Sequence, residues 1–509
     1  MWTGSVTQAR VRPPRRSFHA QREPEATLRH LWQAWPLLLA FLALTVAVAL
    51  TLHIVLTKRN TSAAVAWVGL VWLSPVVGAV SYVLLGVNRI QKRARGIRSG
   101  VASFPLEFPP LPCPDETMEG VLSGELFHLR AMVRVGDRVA GRPLTAGNQA
   151  ELLENGDEAF PAMLKAIGEA RRSVTLVTYI FDNDAAGGRF RDALQEAAGR
   201  GVEVRVLIDD VGARYSVPSM VSVLRKAGIE VARFHPALIP WVTTYLNLRN
   251  HRKILVVDGR IGFTGGMNIR QGNLLAEKPD HPVRDLHFRF EGPVVIELQE
   301  AFVEDWAVAT GEHLQGDRWF APPEPRGDIL ARGITDGPDV HFEKLQTVIM
   351  GALATAERRV RVVTPYFIPD DRLLESLHVA ALRGVEVEVY LPERGNLPLV
   401  QWASQAHWQR ALDKGVRIFL TGEPFDHSKV MTVDGGWGLV GSANWDPRSL
   451  QLNFEFNVEA FDPALVAELD AFVDRRREEA TALTAAAWAS RPFLPRLRDA
   501  TARLASPLL

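Results

Sequence analysis

The sequence predicts an α/β protein in which two similar lobes, each a sheet covered by helices, follow a two-helix transmembrane hairpin. Two long runs near the N-terminus exclude every charged side chain. Beyond them, short β-branched runs alternate with helix-patterned stretches, and the order of these segments occurs twice.

The apolar runs are PLLLAFLALTVAVALTLHIVL (36–56) and AAVAWVGLVWLSPVVGAVSYVLLGV (63–87), with no Asp, Glu, Lys or Arg in either. Each meets the roughly 20 residues that a helix needs to cross a bilayer. Buried helices of globular proteins seldom exclude charge for so long. The AVA at 47–49 mimics a signal cleavage site, but the segment before it is too long and a second run follows directly. Arg10, Arg12, Arg15, Arg16, Arg22 and Arg29 precede the first run, and Arg89, Lys92, Arg93, Arg95 and Arg98 follow the second. Only Lys58 and Arg59 lie between the runs. By the positive-inside rule both outer flanks are cytoplasmic, and the remaining chain works on that face of the membrane, which the resemblance given below implies is a bacterial inner (cell) membrane.

Composition narrows the partners. With 58 basic and 58 acidic side chains the formal net charge is zero, so no basic groove for nucleic acid is expected. Cys113 is the single cysteine, which excludes an intramolecular disulfide. No Cys/His cluster has zinc spacing, so no structural metal site is predicted, and no cofactor is expected.

Domain limits follow the prolines and the repeat. A basic segment (1–35) and the hairpin (36–87) lead into a juxtamembrane, Pro-rich connector (88–144) that includes FPLEFPPLPCP at 104–114. The first lobe spans 145–319, a linker 320–335 opens with FAPPEPRGD, the second lobe spans 336–485, and a tail covers 486–509. EARRSVTLVTYIF (169–181) matches AERRVRVVTPYFI (356–368), and GRGVEVRVLI (199–208) matches LRGVEVEVYL (382–391). The offsets drift slowly (364 − 178 = 186, 384 − 201 = 183, 427 − 251 = 176), as expected of an internal duplication with small insertions. FPAMLKAIGEARR has helical spacing, while SVTLVTYIF and VEVRVLI suit buried strands.

The chemistry is concentrated in NHRKILVVDGRIGFTGGMN (250–268) and DHSKVMTVDGGWGLVGSAN (426–444). HRKILVVDG reads as a strand whose period-two alternation puts His251 and Lys253 on one face. Asp258 has the opposite parity and precedes Gly259, which predicts an Asp-Gly turn. A returning strand, IGFTG, brings Gly265, Gly266 and Asn268 back beside the His/Lys face; His427, Lys429, Asp434, Gly441, Ser442 and Asn444 repeat the pattern. Imidazole is a nucleophile toward phosphorus, lysine neutralises a phosphate oxygen, asparagine donates, and glycine lets backbone approach an anion. One copy is half a phosphoryl-transfer site. A second histidine across the phosphate supplies the acid for the leaving alkoxide.

Through residues 145–462 the chain resembles the phospholipase D superfamily, and within it the bacterial cardiolipin synthase branch. LRNHRKILVVDG, FTGGMNI, VGSANWDPRSL and LNFEFNVE carry the resemblance, and the hairpin with its LLGVNRIQKR exit is also similar. It implies two lobes about a pseudo-two-fold axis, a covalent phosphohistidine, no metal, and transfer of a phosphatidyl group between phosphatidylglycerol molecules with release of glycerol. His251 is then the nucleophile and His427 the acid and base. Lys253, Lys429, Asn268, Asn444, Gly266 and Ser442 contact the phosphate, and Asp285 and Glu455 orient the histidines. The family counts Asp258 and Asp434 among its motif residues, whereas parity gives both a turn role. A membrane-bound phospholipase D that yields phosphatidic acid or another headgroup shares every motif. RQGNLLAEKPDHP and GEPFDHSK depart from the branch where the acceptor pocket is expected. The apolar stretch FHPALIPWVTTYLNL (234–248) suits either a lip dipping into the bilayer or a core segment.

Overall fold

The computed structural model describes residues 23–58, 61–83, 111–235, 248–339 and 341–506, with 1, 3 and 108 in isolation. It divides into two compact units, Met1–Asn88 and Arg89–Leu509. Most of the 1–35 segment, Arg59, the basic exit after residue 87, most of the Pro-rich stretch and residues 236–247 of the proposed lip lie outside the described residues.

In the first unit the helix Glu23–Thr57 contains Trp35–Thr57, which is long and apolar enough to cross a membrane. The second expected span differs from its reading. Ser74 and Pro75 interrupt it, giving Thr61–Leu73 and Pro75–Ser81. Pro75 cannot donate an amide to the preceding turn, so it starts a new helix. These pieces fold back on the first helix. Ala47, Ile54, Val71 and Tyr82 bury together, Trp72 Nε1 donates to Thr51 Oγ1 at 3.0 Å, and the Tyr82 hydroxyl lies 2.9 Å from His53 Nδ1.

In the second unit, a sheet of 15 strands runs through both lobes. At its centre Thr145–Glu154 lies antiparallel to Ile329–Asp336. Outward through the first lobe come Leu286–Glu291, Ile261–Gly265, Ile254–Val257, Ser173–Thr178, Glu203–Asp209 and Glu230–Phe234. Outward through the second come Glu455–Phe461, Trp437–Gly441, Val430–Val433, Arg359–Val363, Glu386–Pro392 and Arg417–Thr421, with Thr481–Leu483 at the edge. The two halves therefore read in the same order from the centre. Ile329–Asp336 also corrects the linker assignment, since most of the second half of 320–335 is a central strand rather than a connector.

Alternate strand residues enter different cores, as period two requires. Val174, Leu176, Leu255 and Val257 pack beneath the helices Asn155–Glu169 and Ala185–Gly199, and Val360, Val362 and Met431 beneath Lys344–Thr355 and Asp371–Leu382. Val177, Ile254, Val256, Val363 and Val430 face the other way into one core shared by Val294–Thr310 and Pro463–Glu479. The part of the connector past 111 is not extended. Its helix Arg130–Ala140 buries Met132 and Val133 in the second-lobe core. The tail after 485 is likewise structured, with Phe493–Arg503 packing Ala502 against Ala403 of the helix Pro398–Leu412.

Each motif strand turns at its aspartate. Asp258 and Gly259 both have left-handed backbone (φ 53° and 66°), as do Asp434 and Gly435 (53° and 71°), the geometry of a tight hairpin turn. The Asp258 carboxylate accepts from the backbone N–H groups of Arg171, Arg172 and Ser173 at 2.7–3.2 Å. Asp434 accepts from those of Glu357, Arg358 and Arg359 at 2.7–2.8 Å and pairs with His128 Nε2 at 2.7 Å. Burial opposes ionisation of Asp434, but the three backbone donors outweigh it and hold its pKa below the usual range. Their place among the catalytic residues is corrected accordingly: these carboxylates pin the turn to the start of the neighbouring strand. Asp258→Ala and Asp434→Ala should each cost roughly 2–4 kcal/mol in denaturant unfolding, with turnover per folded molecule retained.

Candidate active site

The motif strands proper are Ile254–Val257 and Val430–Val433, so each histidine and lysine sits on the extended segment just before its strand rather than within it. What holds those segments is pairing across the lobes. His251 N donates to Phe454 O at 2.9 Å and Phe454 N to Arg249 O at 2.8 Å. In the mirror position Phe425–Asp426 pairs parallel with Val283–Arg284, and His427 N donates to Arg284 O at 2.8 Å.

The carboxylates are exchanged in the same way. His251 Nδ1 lies 3.0 Å from both oxygens of Glu455, which belongs to the second lobe. His427 Nδ1 lies 2.8 Å from Asp285 Oδ2, which belongs to the first. A carboxylate opposite Nδ1 keeps a proton there, so in each neutral ring Nε2 carries the lone pair. Glu455 and Asp285 are fully buried. The Glu455 pKa is lowered even though burial works to raise it, because His251 and Lys253 outweigh the burial.

Lys253 Nζ donates to His251 O at 2.7 Å and Lys429 Nζ to His427 O. Burial pushes the Lys253 ammonium down to about 7 and that of Lys429 to about 8. Burial also lowers both histidines, with Lys429 adding to the effect at His427, which falls to about 4. Both lysines depress both histidines. The four groups are therefore electrostatically coupled and make one site.

Asn268 and Asn444 are buried beside it. Asn268 Oδ1 accepts from Ile180 N at 3.1 Å, which turns its amide nitrogen elsewhere, and Asn444 Oδ1 has no partner among the described residues. Gly266 and Ser442 were expected at the phosphate, and here the structure differs. Their backbone N–H groups are spent on Leu286 O and Phe456 O, and the Ser442 hydroxyl donates to Glu455 Oε2 at 2.5 Å. A Cβ on Gly266 would collide with the Asp285 carboxylate. Both positions serve the carboxylates, one by making room and one by hydrogen bonding.

Three features escaped the sequence reading. Arg252, fully buried between His251 and Lys253, donates to Ala301 O at 3.1 Å and Asp305 Oδ2 at 2.7 Å of its own lobe and to Glu455 O of the other at 3.2 Å, tying the segment to both. Tyr179 stands edge-on to His251 (centroids 5.2 Å apart) and Tyr366 to His427 (6.3 Å). Tyr215 hydrogen-bonds Tyr179. Burial raises the Tyr179 and Tyr366 phenols far above the physiological range, so both stay neutral. Each tyrosine follows the carboxyl end of a parallel strand, where open α/β sheets bind ligands, and that was the available signal.

The two-lobed fold and the paired His/Lys site define a phospholipase D-like enzyme that acts on phospholipids. A family model described as "Cardiolipin synthase, PLD-like domain" matches residues 163–306 and 349–477, and one described as "Phospholipase_D-nuclease N-terminal" matches 45–86. A cardiolipin synthase of Geobacillus kaustophilus is 33% identical over 466 residues, covering 90% of this chain and 91% of that protein. Cardiolipin synthase A of Pseudomonas fluorescens is 33% identical over 482 residues, covering 93% and 97%. The chain belongs to the cardiolipin synthase family. A phosphatidylserine synthase from Haemophilus influenzae shares the fold at a TM-score of 0.59 and 14% identity, over 74% of this chain and all of that one.

The lysine pKa values fix a sign. Below about 7 and about 8 the two ammonium groups are charged and attract an anion; above those values they are neutral. Binding of tungstate, an oxyanion of constant charge here, should be tightest near pH ~6 and weaken toward pH ~9 by up to roughly tenfold per pH unit for each proton taken up. Thermal shift or calorimetry reads this, and Lys429→Met should flatten the profile.

Proposed function

We propose that this protein makes cardiolipin from two phosphatidylglycerol molecules, with His251 as nucleophile and His427 as acid and then base. The observation that carries this is the pair of histidines, each oriented by the other lobe's carboxylate, beside two buried lysines. Lys253 and Lys429, with the Asn268 and Asn444 amides, bind the non-bridging oxygens of the donor phosphate. His251 Nε2 forms a bond to phosphorus as the bond to the headgroup glycerol oxygen breaks, and His427 gives that oxygen a proton. The acceptor hydroxyl then bonds to phosphorus as the P–Nε2 bond breaks, and its proton passes to His427.

Burial and Lys429 disfavour a proton on His427. A bound phosphodiester monoanion beside the ring raises the His427 pKa and lets it enter the first step as an acid. Glu455, with both oxygens on His251 Nδ1, stabilises the positive ring of the phosphohistidine.

The setting is a bacterial cell membrane. The apolar segments 36–56 and 63–87 form a hairpin, the basic flanks stay cytoplasmic, and the lobes, related by a pseudo-two-fold axis, work on that face. The Trp35–Thr57 helix and its folded-back partner support this reading.

Detergent-purified or reconstituted protein incubated with phosphatidylglycerol should yield cardiolipin and glycerol in equal amounts. Phosphatidic acid in place of cardiolipin would make water the acceptor. His251→Ala and His427→Ala should each lower product formation by about 100-fold or more with the fold intact. Substantial turnover in either variant would contradict one site shared by two lobes. Because the carboxylates are exchanged, Glu455→Gln should impair formation of the His251 phosphoenzyme, measured in a single turnover, by about tenfold or more, while Asp285→Asn should act through His427 and shift the pH profile of its proton transfers.

A further inference from the structure

Beside Phe425, two residues before His427, lies a cavity of about 270 Å³ lined by that ring and by Glu393, Arg394, Thr421, Gly422 and Glu423. Its size suits a headgroup rather than a whole lipid, since pockets for drug-sized ligands begin near ~300 Å³. The cavity sits at the carboxyl ends of two adjacent parallel strands, Glu386–Pro392 and Arg417–Thr421, the end where open α/β sheets bind ligands.

Its frame is fixed by hydrogen bonds. Glu393 N donates to Thr421 O at 2.8 Å, Thr421 Oγ1 to Leu391 O at 3.3 Å, and Gln401 Nε2 to Glu393 O at 2.7 Å. The wall nearest the chemistry is Phe425, whose ring centroid is 6.1 Å from that of His427 and 6.3 Å from that of Tyr366. The Glu393 and Glu423 carboxylates and the Arg394 guanidinium are exposed and have no hydrogen-bond or ion-pair partner among the described residues.

The first lobe is built differently at the corresponding place. The strand offset (386 − 203 = 183) sets Asp210 opposite Glu393. Asp210 is buried and ion-paired with Arg214 at 2.5 Å and Arg233 at 3.2 Å. One half-site has neutralised its loop charges internally, and the other holds two carboxylates and a guanidinium open at the edge of a cavity.

We propose that this cavity receives the polyol headgroup of the acceptor lipid, Glu393 and Glu423 accepting hydrogen bonds from its hydroxyls and Arg394 pairing with its phosphate. The assignment rests on the transfer reaction given above and deepens it. Water offers neither a second hydroxyl for the carboxylates nor an anion for the arginine, so the cavity favours transfer over hydrolysis. With the headgroup seated there, one primary hydroxyl reaches past Phe425. Its oxygen bonds to phosphorus as the P–Nε2 bond of His251 breaks, and its proton goes to His427 Nε2.

The test follows cardiolipin, phosphatidic acid and glycerol together in the reconstituted full-length protein with phosphatidylglycerol. For Arg394→Gln and for Glu393→Gln/Glu423→Gln, glycerol release should persist. Cardiolipin should fall by roughly tenfold or more, with phosphatidic acid taking its place, the expected scale for losing a charge-assisted hydrogen bond. Arg394→Lys, which keeps the charge, should recover part of the synthesis. Wild-type product ratios in the neutralised variants would overturn the assignment. So would equal loss of glycerol release in folded protein, because the cavity would then serve the donor. A wild-type protein that forms no cardiolipin at all would instead overturn the reaction itself, and the assignment with it.

Discussion

His251 and His427 are each hydrogen-bonded through Nδ1 to a carboxylate from the opposite lobe, and the rest of the site depends on that exchange. Glu455 and Asp285 are buried, and a buried carboxylate without a partner is costly, so neither lobe can close around its own chemistry alone. Lobe interface and reaction centre are consequently one structure. The backbone pairs between Asn250 and Phe454 and between residues 425–426 and 283–284 align the two exchanges before any side chain is considered. The central pair of strands, Thr145–Glu154 and Ile329–Asp336, fixes the distance between the halves. A duplicated motif is thus a requirement of the geometry, since one copy supplies a histidine without the group that orients it.

Charge is managed differently at the site than in the surrounding core. Buried arginines are matched with carboxylates: Arg252 with Asp305, Arg332 with Glu459, Arg361 with Glu388. The two motif lysines instead donate to the carbonyls of their own histidines, which are neutral acceptors. A lysine already paired with a carboxylate would have little attraction left for a phosphate. Held on a carbonyl and depressed by burial, it gains most when an anion arrives. Such an arrangement gives up folding stability in favour of substrate binding, the usual compromise of a preorganised centre.

Much of this was legible in the residues. The two copies of His-x-Lys with their Asp-Gly turns, the repeat of β-branched strands, and the first apolar helix follow from spacing and composition. Period two identifies which residues of a strand share a face, and that placed Asp258 and Asp434 in turns against their standing as motif residues. The same argument says nothing about which lobe a face meets, so the exchange of Asp285 and Glu455 was invisible. Gly266 and Ser442 were placed at the phosphate by the family resemblance. The register with Leu286–Glu291 and Glu455–Phe461 instead spends their amides inside the sheet. Prolines at 322, 323 and 325 suggested a linker, but strand Ile329–Asp336 begins only a few residues later. In the second apolar run, Pro75 was hidden by the uniform hydropathy around it.

The halves match in their His/Lys pairs and diverge in what surrounds them. Asp285 reaches His427 with one oxygen and needs the space of Gly266; Glu455 reaches His251 with both oxygens and is braced by Ser442. In the proposed reaction the better-held carboxylate faces the histidine whose ring becomes positive in the covalent intermediate, and the other faces the ring that gains and loses a proton in successive steps. Farther out, Asp210 is tied down by two arginines while Glu393, Arg394 and Glu423 remain open to a ligand. Transfer between two similar lipids requires this combination. A symmetric pair of imidazoles can pass a proton in either direction, and only asymmetric surroundings decide which lipid is cleaved and which one attacks.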